Sequence, residues 1–374
     1  MYQNIIWLTI ISLFFCAKLN AQKNTLELNP ILKIGYADSE DFNYIFSNIR
    51  GISVNSIGNI FIANAGDNTT RIFDKNGKYI KKIGGRGRGP DEFLDVSSIS
   101  LNTNDELTVV DRYQDRITRY IFGHDEIETF LLPESSLGSL THSWTTPHDQ
   151  DLFLLYRRNN ESQIDGNLIH IYNTESENVI GHHLDVFNYF FDSKKPLEVQ
   201  MSTVPIYFAT TFGKDQIAVT LLYYTGKIIT LDSKSFKTDQ IGSQTIPFYQ
   251  EYSYNRRNYY RSTGEMGFVT NSGPNGRFFY KINGLTFGLV GNSKYLLHFY
   301  ETFEGAERHP FVTIYSNTGR KVKDISLAHL NIQFYNDESV SIIPHFLDEN
   351  NVLYVADYNE YPKILLYSTN LDDL

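Results

Sequence analysis

The chain has 374 residues, of which 41% are hydrophobic, with 33 Lys and Arg against 43 Asp and Glu for a formal net charge of −10. That apolar content excludes a disordered chain. The acidic balance excludes a general polyanion binder, which needs a basic face for counterion release. Tyr and Phe number 26 each, and such residues suit a pleated, half-buried surface, so the composition leans towards strand.

Residues 1–21 read as a signal peptide, with 22–374 as a single domain. A short polar start leads into an apolar run from Ile5 to Ala17, broken by Thr9 and Ser12, and Ala21 offers a small residue for cleavage. The run is short for a membrane span and fits an export signal, although its start carries no Lys or Arg; a retained N-terminal anchor is the alternative. With cleavage, the protein is periplasmic or secreted and has no stable membrane insertion. The one cysteine, Cys16, lies in this segment behind Phe14-Phe15, which disfavours lipidation. The mature chain then has no cysteine, hence no disulfide and no thiolate metal site.

Next comes an internal repeat. Gly51-Ile52-Ser53-Val54, Gly58-Asn59-Ile60-Phe61-Ile62-Ala63-Asn64, Arg71-Ile72-Phe73-Asp74 and Lys78-Tyr79-Ile80-Lys81-Lys82-Ile83-Gly84 are four short runs separated by turn residues, including Asn76-Gly77. Asn-Gly is the strongest short hairpin signal. Four strands in about forty residues make one blade of a β-propeller. The pattern recurs over 98–131 and near the C-terminus over 335–370, and more loosely over 138–186, 187–248 and 249–330. In the three clearest copies the second strand ends in Asn or Asp (Asn64, Asp111, Asp357), which suits capping of the following turn. The third begins with Arg or Lys. The reading is an all-β, six-bladed β-propeller of four-stranded antiparallel blades, with one long segment roomy enough for a seventh. The last blade shows only three strands, so the segment Thr25–Ile34 is expected to supply its outer strand and close the ring.

The stretch from Gly58 to Gly84 resembles an NHL-type propeller repeat. Its continuation, Gly85-Arg86-Gly87-Arg88-Gly89-Pro90-Asp91-Glu92-Phe93, is similar to the inter-blade motif of six-bladed propellers exported by Bacteroidetes. The resemblance is good over about 45–120 and 340–367. It implies fold far more than activity. The NHL-like fold also houses peptidylglycine amido-lyases, whose zinc is held by histidines from several blades. That implies an alternative: a metal-dependent lyase or hydrolase using His142, His148 and His345 near the central channel.

The residues themselves show no catalytic constellation. The glycine run lacks the Lys-Ser/Thr and helix of a P-loop and reads as a turn between blades. No HExxH or Gly-x-Ser-x-Gly appears, and His182-His183 should point to opposite faces of a strand. No metal ligands and no cofactor are assigned. Binding is the expected role, with a glycan, a peptide or a protein as partner and no nucleic acid. Long insertions fall on the face that holds the inter-blade and strand-two-to-three loops: 157–166, 187–200, 253–276 and 301–310. Tyr and Arg are enriched at recognition surfaces. The candidate site residues are therefore Arg86, Arg88, Arg157, Arg158, Tyr254, Arg256, Arg257, Tyr259 and Arg261. The competing reading has the tyrosines simply packing a loop onto the propeller.

Overall fold

The computed structural model describes residues 25–123, 126–132, 139–145, 151–157, 167–189, 207–223, 226–242, 249–253, 267–270, 278–305, 307–330 and 341–374. Residues 1–21, expected to be a signal peptide, lie outside them. Among them no helix is long and apolar enough to cross a membrane.

The first strand, β1 (Leu28–Ile34), stands apart from its neighbours in sequence. Four-stranded antiparallel blades then follow in order. Blade 1 is β2 (Ile49–Val54), β3 (Ile60–Asn64), β4 (Thr69–Phe73) and β5 (Tyr79–Gly84). Blade 2 is β6 (Val96–Leu101), β7 (Leu107–Asp111), β8 (Arg116–Ile121) and β9 (Glu126–Leu131). Blade 3 is β10 (Ser139–Thr145), β11 (Asp151–Arg157), β12 (Asn167–Asn173) and β13 (Asn178–Asp185). Blade 4 is β14 (Tyr207–Phe212), β15 (Gln216–Leu221), β16 (Ile228–Asp232) and β17 (Thr238–Ile241). After it come β18 (Tyr249–Ser253), β19 (Gly267–Thr270) and β20 (Phe278–Ile282). Blade 5 is β21 (Gly284–Gly291), β22 (Tyr295–Glu304), β23 (Glu307–Ser316) and β24 (Lys321–Ser326). Blade 6 is β25 (Ile342–Leu347), β26 (Val352–Asp357) and β27 (Lys363–Thr369), completed by β1.

Position in the blade explains the sequence of each strand. The two middle strands are covered on both faces by neighbouring blades, so β3, β4 and β7 are buried at every residue. They read as continuous runs rather than alternating ones. Outer strands face water, and β5, β9 and β13 accordingly carry exposed residues along much of their length.

The cores lie between blades. Among the described residues six buried clusters join blades 1 and 2, 2 and 3, 3 and 4, 4 and 5, 5 and 6, and 6 and 1. Phe212, Ile228, Leu289 and Tyr315 belong to one of them, so blade 4 packs directly on blade 5. This corrects the expectation for 249–330. Only Gly284–Ser326 forms the fifth blade. The preceding β18, β20 and β19 pair into a separate three-stranded sheet, part of it within the stretch expected to be a 253–276 loop. Strand propensity alone cannot tell an inserted sheet from a blade, because the difference lies in which neighbour covers it.

The inter-blade segments are held by a repeated anchor. Phe93 is fully buried three residues before β6, and the Arg116 guanidinium lies 5.6 Å from its ring centroid. Arg116 also donates to the carbonyls of Gly89 (2.9 Å) and Glu92. Blade 1 repeats the device: Phe46 precedes β2 by three residues, Arg71 lies 5.1 Å from its ring, and Arg71 donates to the carbonyls of Phe42, Asn43 and Ile45. Asp111 caps its following turn through the amides of Tyr113 and Gln114, as expected, and also accepts from the amides of Leu94 and Asp95 in the preceding inter-blade loop. Asn64 does the same for Ser47 and Asn48. The expected glycine turn is present too. Gly84 has φ +80°, and a Cβ there would lie 2.8 Å from the Phe93 ring.

Ring closure follows the expectation. β1 pairs antiparallel with β27, with Leu28 opposite Thr369 and Ile34 opposite Ile364. Just before it, Leu26 is fully buried in the core between blades 5 and 6. Leu26→Ala should therefore lower unfolding free energy by about 2–5 kcal/mol, read as a shifted urea midpoint at unchanged slope.

A second prediction concerns acid. His298 is buried in blade 5, where its Nε2 bonds the Thr286 hydroxyl at 2.9 Å, and burial pushes its pKa down to about 3. The unfolded chain binds that proton first, so this contribution to stability is complete above the ordinary pKa of about 6.5. It is lost as pH falls from there towards 3. Denaturant midpoints should drop across that window, and His298→Leu should flatten the drop.

Candidate functional site

The innermost strands of the six blades surround an axial cavity of about 270 Å³. These strands supply its wall: Ile49–Ser53, Ser97–Ile99, His142, Trp144, Phe208–Thr210, Leu289 and Ile343–Phe346. Two glycines let neighbouring inner strands approach. A Cβ on Gly51 would lie 3.0 Å from Ile99, and one on Gly288 would lie 2.9 Å from Pro344.

Five of the six inner strands share one irregularity. Their registers slip between Ile49 and Gly51, Val96 and Ser98, Leu140 and His142, Thr286 and Gly288, and Pro344 and Phe346. Each slip skips one position of the register: Arg50, Ser97, Thr141, Phe287 and His345. Bulges of this kind bend a strand and re-aim a side chain, and they recur beside functional sites. Here three of the five, Arg50, Ser97 and His345, line the cavity. A bulge also explains how Pro344 sits in a strand, since an irregular edge spares it a ladder hydrogen bond.

The polar lining is unusual for so acidic a protein. Arg50 is exposed between the buried Ile49 and Gly51. His142, from blade 3, stacks beside Trp144 with ring centroids 5.7 Å apart. His345 comes from blade 6. Neither His142 Nδ1 nor His345 Nε2 has a hydrogen-bond partner, although both atoms are buried. Burial pushes the pKa of each ring down to about 4, and for His345 the nearby His142 and Arg50 add to the shift. Both rings are therefore neutral near pH 7. Arg50, His142 and His345 are the titratable groups among the described lining residues, and no carboxylate is with them.

Three of the expected site residues lie within the described residues. Arg86 and Arg88 are exposed on the inter-blade loop, where the Arg86 backbone bridges Phe93, and neither lines the axial cavity. Arg157 ends β11 opposite Ser139. Arg158, Tyr254, Arg256, Arg257, Tyr259 and Arg261 lie outside the described residues, as does His148. His142 and His345 do meet at the channel, as the metal reading requires. Among the described residues, no group of three or more His, Cys, Asp or Glu could hold a metal ion. His182 and His183 point apart as expected: His182 meets His170 with Nδ1 atoms 2.7 Å apart, and His183 stacks on Phe236.

Arg50 escaped the reading of the sequence. Its signal was present, a lone arginine among apolar residues in Ile49-Arg50-Gly51-Ile52. It becomes informative only when the bulge shows where the side chain goes.

The molecule resembles several solved structures. An exported protein from Bacteroides fragilis matches with TM-score 0.56 and 14% identity, over 93% of this chain and 96% of the other. A DUF4221-family protein from Bacteroides vulgatus matches with TM-score 0.55 and 11% identity, over 93% and 99%. Virginiamycin B lyase from Staphylococcus aureus matches with TM-score 0.47 and 14% identity, over 92% and 99%, too distant to bear on activity. Likenesses at these identities concern the fold alone. No curated protein matches the chain in sequence. Residues 39–252, more than half of the chain, match the model of a family described as a 6-bladed beta-propeller, in agreement with the six inter-blade cores, and the protein belongs to that family, DUF5128.

Proposed function

We propose that this protein is an exported binding propeller that recognises a glycan, a peptide or a protein partner on the face carrying its inter-blade loops. The observation that carries the reading is the axial cavity. It is walled by the inner strands of all six blades and holds polar groups, His142 Nδ1 and His345 Nε2, that the fold itself does not satisfy. Buried polar atoms are nearly always bonded, and exceptions need a reason. A ligand supplying the missing partners is one. Export is supported by the apolar N-terminal run and by the Bacteroides fragilis relative, which is named as exported.

The Tyr- and Arg-rich stretch around Arg256 and the exposed Arg86 and Arg88 would form the outer border of this site, with Arg157 and Arg158. Tyr254 and Tyr259 would add broad aromatic contact area. Glycan and peptide arrays probed with the full chain should reveal a defined ligand set. The combined change Arg256→Ala, Arg257→Ala and Arg261→Ala should weaken that binding by about tenfold or more, or about 1.4 kcal/mol, at an unchanged melting temperature. Arrays silent for the wild type, or a variant that binds as well, would overturn the reading.

One observation favours a second reading, a metal-dependent lyase or hydrolase: His142 and His345 converge on the channel from blades 3 and 6. Two imidazoles leave a zinc site short of its usual third protein ligand. Elemental analysis of the purified protein decides this. Stoichiometric zinc supports the second reading, and metal-free protein that still captures its array ligand removes it.

A further inference from the structure

We propose that Arg50, His142 and His345 form a receptor for a single carboxylate group, which a small ligand inserts into the axial cavity beside Trp144. The inference rests on the binding reading above and names the chemistry of its innermost contact.

Three donors reach one cavity from three blades, through β2, β10 and β25. Two of them, Arg50 and His345, are placed there by bulges. The whole chain carries ten more acidic than basic residues, yet no Asp or Glu is among the described lining residues. Local charge is thus opposite in sign to the protein's net charge. A structural role would leave Arg50 paired, as Arg71 is with Asp67 at 2.6 Å and Arg112 with Asp95 at 2.6 Å. The cavity at the other end of the channel, about 540 Å³, is different: it is bordered by Lys75 together with Asp348 and Glu349.

Charge and shape select the ligand class. One permanent positive charge matches one negative charge, and a guanidinium fork matches the two oxygens of a carboxylate. A ring N–H of His142 or His345 can donate to the same oxygens. The rest of the wall sets apolar and aromatic side chains, Ile52, Ile99, Trp144, Phe208, Leu289 and Phe346, beside the hydroxyl residues Ser53, Ser97, Ser98 and Thr210, a mixture that suits a small ligand body with a carbon frame and hydroxyl or amide groups. A volume of about 270 Å³ admits a body the size of a single sugar or amino acid.

Binding should also take up a proton. Burial keeps both imidazoles neutral, and Arg50 and His142 oppose charging His345. A bound carboxylate reverses that balance by favouring an imidazolium beside it. The next titratable group behind Arg50 is Tyr358, whose hydroxyl bonds the N–H and the carbonyl of Ile49 at 3.0 and 2.9 Å. Burial raises its pKa, so it stays neutral throughout. Affinity for the carboxylate should therefore rise as pH falls.

Calorimetric titration of the full chain tests this with two acids and their neutral counterparts: D-glucuronate against D-glucose, and N-acetylglycine against N-acetylglycinamide. At least one acid should bind about tenfold more tightly than its counterpart. That affinity should rise between about pH 7.5 and about pH 5.5, with buffer-dependent enthalpies reporting proton uptake. Arg50→Gln should remove the preference for the acid, and Arg50→Lys, which keeps the charge but not the fork, should weaken it. His345→Gln should leave binding at the higher pH nearly intact and flatten the pH dependence. The acid that binds tells whether a sugar or a peptide carries the group. Equal binding of acid and neutral partner, or full acid preference in both Arg50 variants, overturns the inference. Array ligands captured without any acid preference would leave the binding propeller standing and remove the carboxylate receptor alone.

Discussion

Every blade of this protein is half of two cores. A single four-stranded sheet of about forty residues has no interior of its own, and its middle strands are apolar on both faces. They are stable only when another blade covers each face, which a linear stack cannot provide at its ends. Closing the stack into a ring removes the ends. The six buried clusters between successive blades show that this condition is met all the way round. The last of them depends on β1, laid down at the opposite end of the chain from the strand it pairs with. Closure, rather than any one contact, is what the rest of the fold depends on.

Closure has a consequence at the axis. Six inner strands meeting around one channel must converge without clashing, and Gly51 and Gly288 give their neighbours room. Bulges recur in five of the six inner strands and bend them. The residue skipped at a bulge is freed from the strict alternation of a flat strand. That is how an arginine and a histidine come to line the channel among the residues of two otherwise apolar stretches. The outer scaffold is meanwhile fixed by Phe46 and Phe93, each clamped by an arginine from the third strand of its own blade. Structural arginines and the channel arginine thus differ in a simple way: Arg71 and Arg116 bond several carbonyls, and Arg50 faces open space.

Much of the architecture was legible in the residues. Turn signals such as Asn76-Gly77, two-sided apolar runs such as Ile60–Asn64, and the orphan strand before the first blade together yield six blades and the closing strand. These features are local, and local chemistry determines them. The inserted sheet at 249–282 is indistinguishable in sequence from part of a blade, because a strand looks the same whether another blade or an insertion lies against it. The binding residues expected on the loops were chosen by composition, and composition does not say which loops meet. Asn64 and Asp111 look in the sequence like caps of the following turn; Asp111 does cap it, and both hold the loop that enters the same blade, a role that spans segments far apart in sequence.

The sequence by itself determined the repeat, the strand order within each blade and the need for a partner strand at the end. Each follows from the residue-by-residue alternation of apolar, turn and capping positions. The cavity and its chemistry were decided only in three dimensions. Arg50, His142 and His345 belong to blades 1, 3 and 6, and nothing in their neighbourhoods along the chain relates one to another. They meet because six twisted sheets close around an axis, and because a one-residue slip in the pairing of β2 and of β25 brings Arg50 and His345 into the wall of the channel.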